Sequence, residues 1–247
     1  MPLTTPTLVF LHYSGGAAAS WSSVISLLEP DYACIALDLP GFGNQEPLSQ
    51  PSFASFSRFI WSRIHDLNLQ QFILVGHDMG GKIALQVASD DHRGLITQLI
   101  LVAPSPSDQQ EVGAAEKRKM LVHPDLEEVN RLVKKSRILP LDNEAFSLAV
   151  STQMMTDTKT WHWWILEGMS QSISARVAEL SVPITILASA DDPVVSYSSL
   201  KNEQRQVLRQ AELIATTGIG HLIPLEAPDW LALQIRSCVP RLAMKIP

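Results

Sequence analysis

The chain has 247 residues, 18% charged and 46% apolar, with a formal net charge of −6. That mixture fits a soluble globular protein with one well-buried core, or a core plus a small cover. No basic run favours nucleic acid or an anionic membrane, and no apolar stretch nears the ~18 residues that span a bilayer. The expected partner is a small-molecule substrate, bound by a monomer or homodimer.

The opening MPLTTPTLVFLHYSGG has neither a basic leader nor a cleavage pattern, so a cytoplasmic location is expected. Its apolar run Thr7–His12 reads as a strand ending in Gly15-Gly16. A helix follows over Ala18–Leu28, and a second strand over Tyr32–Asp38 stops at Pro40-Gly41-Phe42-Gly43. Phe53–Leu67 has helical periodicity, Gln71–Val75 is a third strand, and Gly80–Ala88 a helix. Further strands are Gln98–Val102, Ile184–Ala188 and Ala211–Ala215, and Pro224–Val239 closes as a helix. Short apolar strands alternating with helices predict an α/β fold: a mostly parallel sheet of about six strands with helices on both faces.

The alternation breaks between Ser105 and Leu180, where the pattern is helical. We therefore expect a core formed by residues 1–104 and 181–247 and a helical lid formed by 105–180, placed over the carboxyl edge of the sheet where ligands bind. Cys34 and Cys238 are expected to be buried structural thiols. No metal or cofactor is expected.

One segment carries chemistry. Leu74-Val75-Gly76-His77-Asp78-Met79-Gly80-Gly81 follows a strand and opens a helix, which is the strand–turn–helix context of a G-x-nucleophile-x-G elbow. Asp78 stands at the nucleophile position. Downstream, Ser189-Ala190-Asp191-Asp192-Pro193 puts a carboxylate just past one strand, and Gly218-Ile219-Gly220-His221 puts a histidine just past the next. A histidine base needs a carboxylate to fix its tautomer. Asp192 is preferred for that role and Asp191 is the alternative. An oxyanion formed at the elbow would need donors, which the backbone of Met79 and of Tyr13 or Ser14 could supply. In the insertion, Trp161, His162 and Trp164 are candidates for the substrate pocket, although such a cluster more often packs a cover onto its body.

Four segments (LHYSGG, LDLPGFG, LVGHDMGGKIAL, and ASADDPV with GIGHLIPLEAP) resemble the α/β-hydrolase superfamily over nearly the whole chain outside the insertion. The wording is most similar to small serine hydrolases that read GHSMGGK and GHLLPLEAP. Aspartate in GHDxGG instead resembles epoxide hydrolases and haloalkane or haloacetate dehalogenases. The resemblance implies attack of Asp78 on saturated carbon, an alkyl-enzyme ester, and its hydrolysis by water that His221 activates. Each of these subclasses lacks one of its usual marks here. The tyrosines are Tyr13, Tyr32 and Tyr197, so none lies in the insertion. Met79 stands where haloalkane dehalogenases carry Trp, and Met79 and Lys82 stand where haloacetate dehalogenases carry Arg. Two alternatives stay open: a serine-esterase-like scaffold whose nucleophile became Asp, and a non-enzymatic small-ligand receptor.

Overall fold

The computed structural model describes residues 6–110 and 112–239. Its centre is one six-stranded sheet: β1 (Thr7–Leu11), β2 (Ala33–Leu37), β3 (Phe72–His77), β4 (Ile96–Val102), β5 (Ile184–Ser189) and β6 (Glu212–Thr216), in the order β2-β1-β3-β4-β5-β6. Every pairing is parallel. Successive residues of β1 serve opposite faces. Val9 and Leu11 join one apolar cluster and Leu8 and Phe10 the other. A sheet buried on both faces needs such continuous apolar strands, which is why they read as unbroken runs in the sequence. β2 lies at one edge, with most of its residues only partly covered.

Helices α1 (Ser22–Leu28), α2 (Phe53–Asp66), α3 (Met79–Ser89), α9 (Tyr197–Gln206), α10 (Ile223–Glu226) and α11 (Pro228–Cys238) flank the sheet. Two expected helices are broken. The first begins as a 3₁₀ turn over Ala18–Trp21 before α1. The last is divided at Ala227, whose φ of −145° and ψ of 57° lie outside the helix region. The ring of Pro228 disfavours helical backbone at the residue before it. Cys34 and Cys238 are free and half-buried, not buried, because they sit on the edge strand and in the last turn of α11.

Between β4 and β5 the chain forms α4 (Ala114–Met120), α5 (Leu126–Ser136), α6 (Asn143–Met154), α7 (Thr158–Trp163) and α8 (Ser174–Val177). Asp125, Asp142 and Asp157 start α5, α6 and α7 by accepting a backbone N–H three residues on. No helix among the described residues is long and apolar enough to cross a membrane.

Candidate active site

β3 ends at His77, and Asp78 makes the turn into α3 with φ 51° and ψ −116°. A non-glycine residue in that region costs of order 1–3 kcal/mol and persists only where its surroundings impose it. Here the flanking glycines let the backbones close in. A Cβ on Gly76 would lie 2.4 Å from the carbonyl oxygen of Gly80, and one on Gly80 would lie 2.5 Å from that of His12. The tight turn lifts the Asp78 side chain off the carboxyl end of the sheet.

The Asp78 carboxylate is held at both oxygens. Oδ2 accepts from the Ser14 backbone N–H at 3.1 Å and from the Ser14 hydroxyl at 2.7 Å. Oδ1 accepts from the Ser105 hydroxyl at 2.7 Å. Of the two backbone N–H groups left open by the sequence, that of Ser14 makes the contact with Asp78. The structure records no bond from the Met79 N–H to Asp78. The hydroxyls of Ser14 and Ser105 were not anticipated, because elbow chemistry is read from backbone donors and Ser105 is reached only through the fold.

His221 lies between two carboxylates. Its Nδ1 donates to Asp192 Oδ2 at 2.8 Å, and its Nε2 stands 3.7 Å from Asp78 Oδ1 with no hydrogen-bond partner. Asp192 Oδ1 in turn accepts from the N–H groups of Val194 and Val195. Asp191 faces elsewhere, accepting from the Gly218 N–H at 2.7 Å. Burial disfavours the charged imidazole, but the Asp192 carboxylate, backed by Asp78, raises its pKa to about 10. Burial likewise opposes charge on Asp78, and the His221 cation and the Ser105 hydroxyl outweigh it, holding the carboxyl well below the usual carboxylate range. Both shifts favour the carboxylate–imidazolium form of the pair.

The backbone of His221 is fixed from three sides. Its N–H donates to the Ser136 carbonyl at the end of α5, and its carbonyl accepts from His77 Nε2 at 2.8 Å. The Glu226 carboxylate accepts from Gly220 and Leu222 on either side of His221, and from Ile138 and Leu139 of the insertion. Burial keeps His77 neutral, lowering its pKa to about 3.

A cavity of about 310 Å³ opens above Asp78 and His221. Its walls come from the sheet's loops and from the insertion, including Met120, Leu132, Trp161 and Trp164. The insertion therefore covers the elbow. His162 is not in this cavity. Its Nε2 bonds the Leu121 carbonyl, and it borders a surface depression beside Lys159 and Glu167. The Trp161 indole N–H is taken by the Met120 carbonyl. Gln153 of α6 lines the cavity, packed where a Cβ on Gly15 would be 3.0 Å from its Cγ. It had no motif to mark it.

Lys82 does not serve as a carboxylate clamp. Its Nζ is buried on the carbonyls of Asp108 (3.0 Å) and Gly168 (3.2 Å) and lies 5.5 Å from the Phe53 ring centre. Burial lowers its pKa to about 8. Lys82 thus ties α3 to both ends of the insertion. Lys82→Met should cost about 3 kcal/mol, because the carbonyls lose their donor while still buried. Urea unfolding checks this: the midpoint should fall, and a loss under about 1 kcal/mol would mean that those carbonyls find other partners.

An aspartate elbow, a carboxylate-held histidine and a parallel sheet with a covering insertion together define an α/β hydrolase. The chain matches the alpha/beta hydrolase fold family over residues 6–136 and belongs to it. It is similar to the 2-succinyl-6-hydroxy-2,4-cyclohexadiene-1-carboxylate synthase of Enterobacter sp. (strain 638), with 36% identity over 95 residues, 38% of this chain and 36% of that protein. It also resembles the dihydrolipoyllysine-residue acetyltransferase component of the acetoin cleaving system of Cupriavidus necator, 32% identical over 99 residues, 40% of this chain and 26% of that one. The aligned stretches span less than half of these relatives. Among solved structures, the esterase EaEST from Exiguobacterium antarcticum superposes with a TM-score of 0.86 at 15% identity, covering 95% of this chain and 91% of that one. This likeness is one of fold. The protein is an enzyme of the α/β-hydrolase type.

Proposed function

We propose that this hydrolase opens a carbon–heteroatom bond of a neutral epoxide or organohalide, with Asp78 as nucleophile, His221 as base and Asp192 as the acid that orients it. The observation that carries this reading is the Asp78 carboxylate itself. It is ionised, raised on the elbow, and faces the cavity beside a histidine whose Nε2 is unpaired. A carboxylate suits attack on saturated carbon, whereas acyl transfer to it would give a reactive mixed anhydride.

The second step follows from the same charges. Alkylation converts Asp78 to a neutral ester and removes one of the two anions that support the imidazolium, so the imidazolium gives up its proton more readily and neutral His221 becomes available when water must be activated. Water attacks the ester carbonyl, and the oxygen held by the Ser14 N–H and hydroxyl takes the developing charge.

The cavity favours an uncharged substrate. Among the described residues lining it, Lys135 is the only lysine or arginine, and its Nζ is 2.7 Å from Glu116. Lys82 is turned away. The Enterobacter relative is named for forming a carboxylate, and a carboxylate ligand would want a free cation that these lysines do not supply. That weighs against carrying its activity over to this chain.

The test is a trapped intermediate. In His221→Gln, 1-bromohexane should leave one hexyl group on Asp78, found by mass spectrometry on the peptide containing Gly76–Gly81. In the wild type, a single turnover in heavy-oxygen water should place the label in the Asp78 carboxylate. Label appearing only in the product, with no adduct in the variant, would overturn the reading.

A further inference from the structure

We propose that His221 is the acid of the first step as well as the base of the second: its Nε2–H protonates the oxygen released when Asp78 opens an epoxide, which makes the site one for epoxides in preference to organohalides. This inference rests on the reading of Asp78 as nucleophile.

The geometry comes first. His221 Nδ1 is committed to Asp192 at 2.8 Å, so Nε2 is the exchangeable edge. That edge is 3.7 Å from Asp78 Oδ1 and has no partner. The gap is too wide for a hydrogen bond between the two side chains. In a backside displacement, the attacking and departing oxygens lie roughly 4.5 Å apart when the substrate is bound for attack. A departing oxygen at that distance from Oδ1 can also sit at hydrogen-bond distance from Nε2.

The other donors around the cavity are committed, turned elsewhere or, like the Gln153 amide and the Trp164 indole, unable to release a proton at neutral pH. The Trp161 N–H is held by the Met120 carbonyl, and the insertion contains no tyrosine. The Tyr13 ring lines the cavity, but its hydroxyl is buried toward Thr152 and Ser20. The Gln153 amide can donate a hydrogen bond, but it cannot give up a proton at neutral pH. The groups facing the His221 ring are the carboxylates of Asp78 and Asp192 and the neutral ring of His77, 5.1 Å away. Two anions and no cation hold the imidazole in its protonated form, in keeping with its raised pKa.

The proton inventory closes for an epoxide. Asp78 oxygen forms a bond to an epoxide carbon, the carbon–oxygen bond breaks, and its electron pair stays on oxygen. That oxygen takes the Nε2 proton, leaving a hydroxyalkyl ester and neutral His221. His221 then takes one proton from water as hydroxide adds to the ester carbonyl. Collapse expels the diol, whose new oxygen receives the second water proton, and the carboxylate–imidazolium pair is restored. A halide departs without a proton, so the same resting pair would be left holding one that the base must first shed.

The experiment compares Asp78 alkylation in a single turnover by 1,2-epoxyhexane and 1-bromohexane, in wild type, His221→Gln and Tyr13→Phe. His221→Gln should slow epoxide opening by about 100-fold or more and change the bromide reaction little, since general acid help matters only to the poor leaving group. Tyr13→Phe, which keeps the ring in the cavity wall, should leave the ratio of the epoxide rate to the bromide rate unchanged. In wild type the epoxide rate should fall as pH rises through the imidazolium's titration, with the bromide rate flat. Equal epoxide opening in His221→Gln, or its loss in Tyr13→Phe, would overturn the assignment while the bromide adduct keeps Asp78 as nucleophile. Silence of both probes in every variant would overturn both.

Discussion

Asp78→Asn should lower turnover by about 10⁴-fold or more, because an amide is a poor nucleophile and the second step has no ester to act on. Folding should be little affected, since the amide oxygen can still accept from Ser14 or Ser105. Steady-state kinetics on the best substrate of an epoxide and haloalkane panel, with circular dichroism as control, checks both parts. Retention of more than a tenth of the wild-type rate would remove Asp78 from the mechanism. Asp78→Ser sharpens the test. It should fail on epoxides and halides, yet gain cleavage of p-nitrophenyl acetate, because His221, Asp192 and the Ser14 N–H stay in place. Strong esterase activity in that variant, combined with a wild type that no probe alkylates, would support a serine-esterase scaffold with an altered nucleophile.

Asp192→Asn should cost about 10³- to 10⁴-fold in turnover by a different route. The Asn amide can present an N–H to His221 Nδ1, favouring the tautomer whose proton sits on Nε2, and that form cannot take a proton from water. With 1-bromohexane the first step should survive, so the variant should show a stoichiometric burst of bromide and then stall as the alkyl-enzyme. Asp191→Asn is the comparison: its carboxylate meets the Gly218 N–H and should be close to neutral. If the two variants were equally active, Asp192 would not be the orienting acid.

The sheet was legible because its strands are short, apolar on both faces and punctuated by Gly and Pro. The elbow was legible because the close approach of Gly76 to Gly80 demands glycine at fixed spacing from Asp78. Asp192 and His221 follow strands β5 and β6 directly, so their convergence was implied by the parallel order alone. What escaped the sequence depends on packing between distant segments. Lys82 sits where a clamp for anions would be, but the carbonyls that claim its ammonium come from residues 108 and 168. His162 lies in a run of tryptophans, and helix rotation turns it away while Trp161 and Trp164 face inward. Gln153 acquires its place from a glycine 138 positions earlier. The break at Ala227 was local and could have been read from Pro228.

One oxygen of the Glu226 carboxylate, Oε2, accepts from both the insertion and the histidine loop, and this limits how the protein can be recombined. A cover transplanted from another hydrolase must offer two backbone N–H groups where Ile138 and Leu139 now stand, and a carbonyl in place of that of Ser136. Without them, Glu226 loses half its partners and the base loses its anchor. Helix α4, none of whose residues is buried, carries no such obligation, so a lineage can alter it more readily to accept new substrates. Variation in this cover is therefore divided between a seam that must be inherited with the histidine and a lining that can drift apart from it.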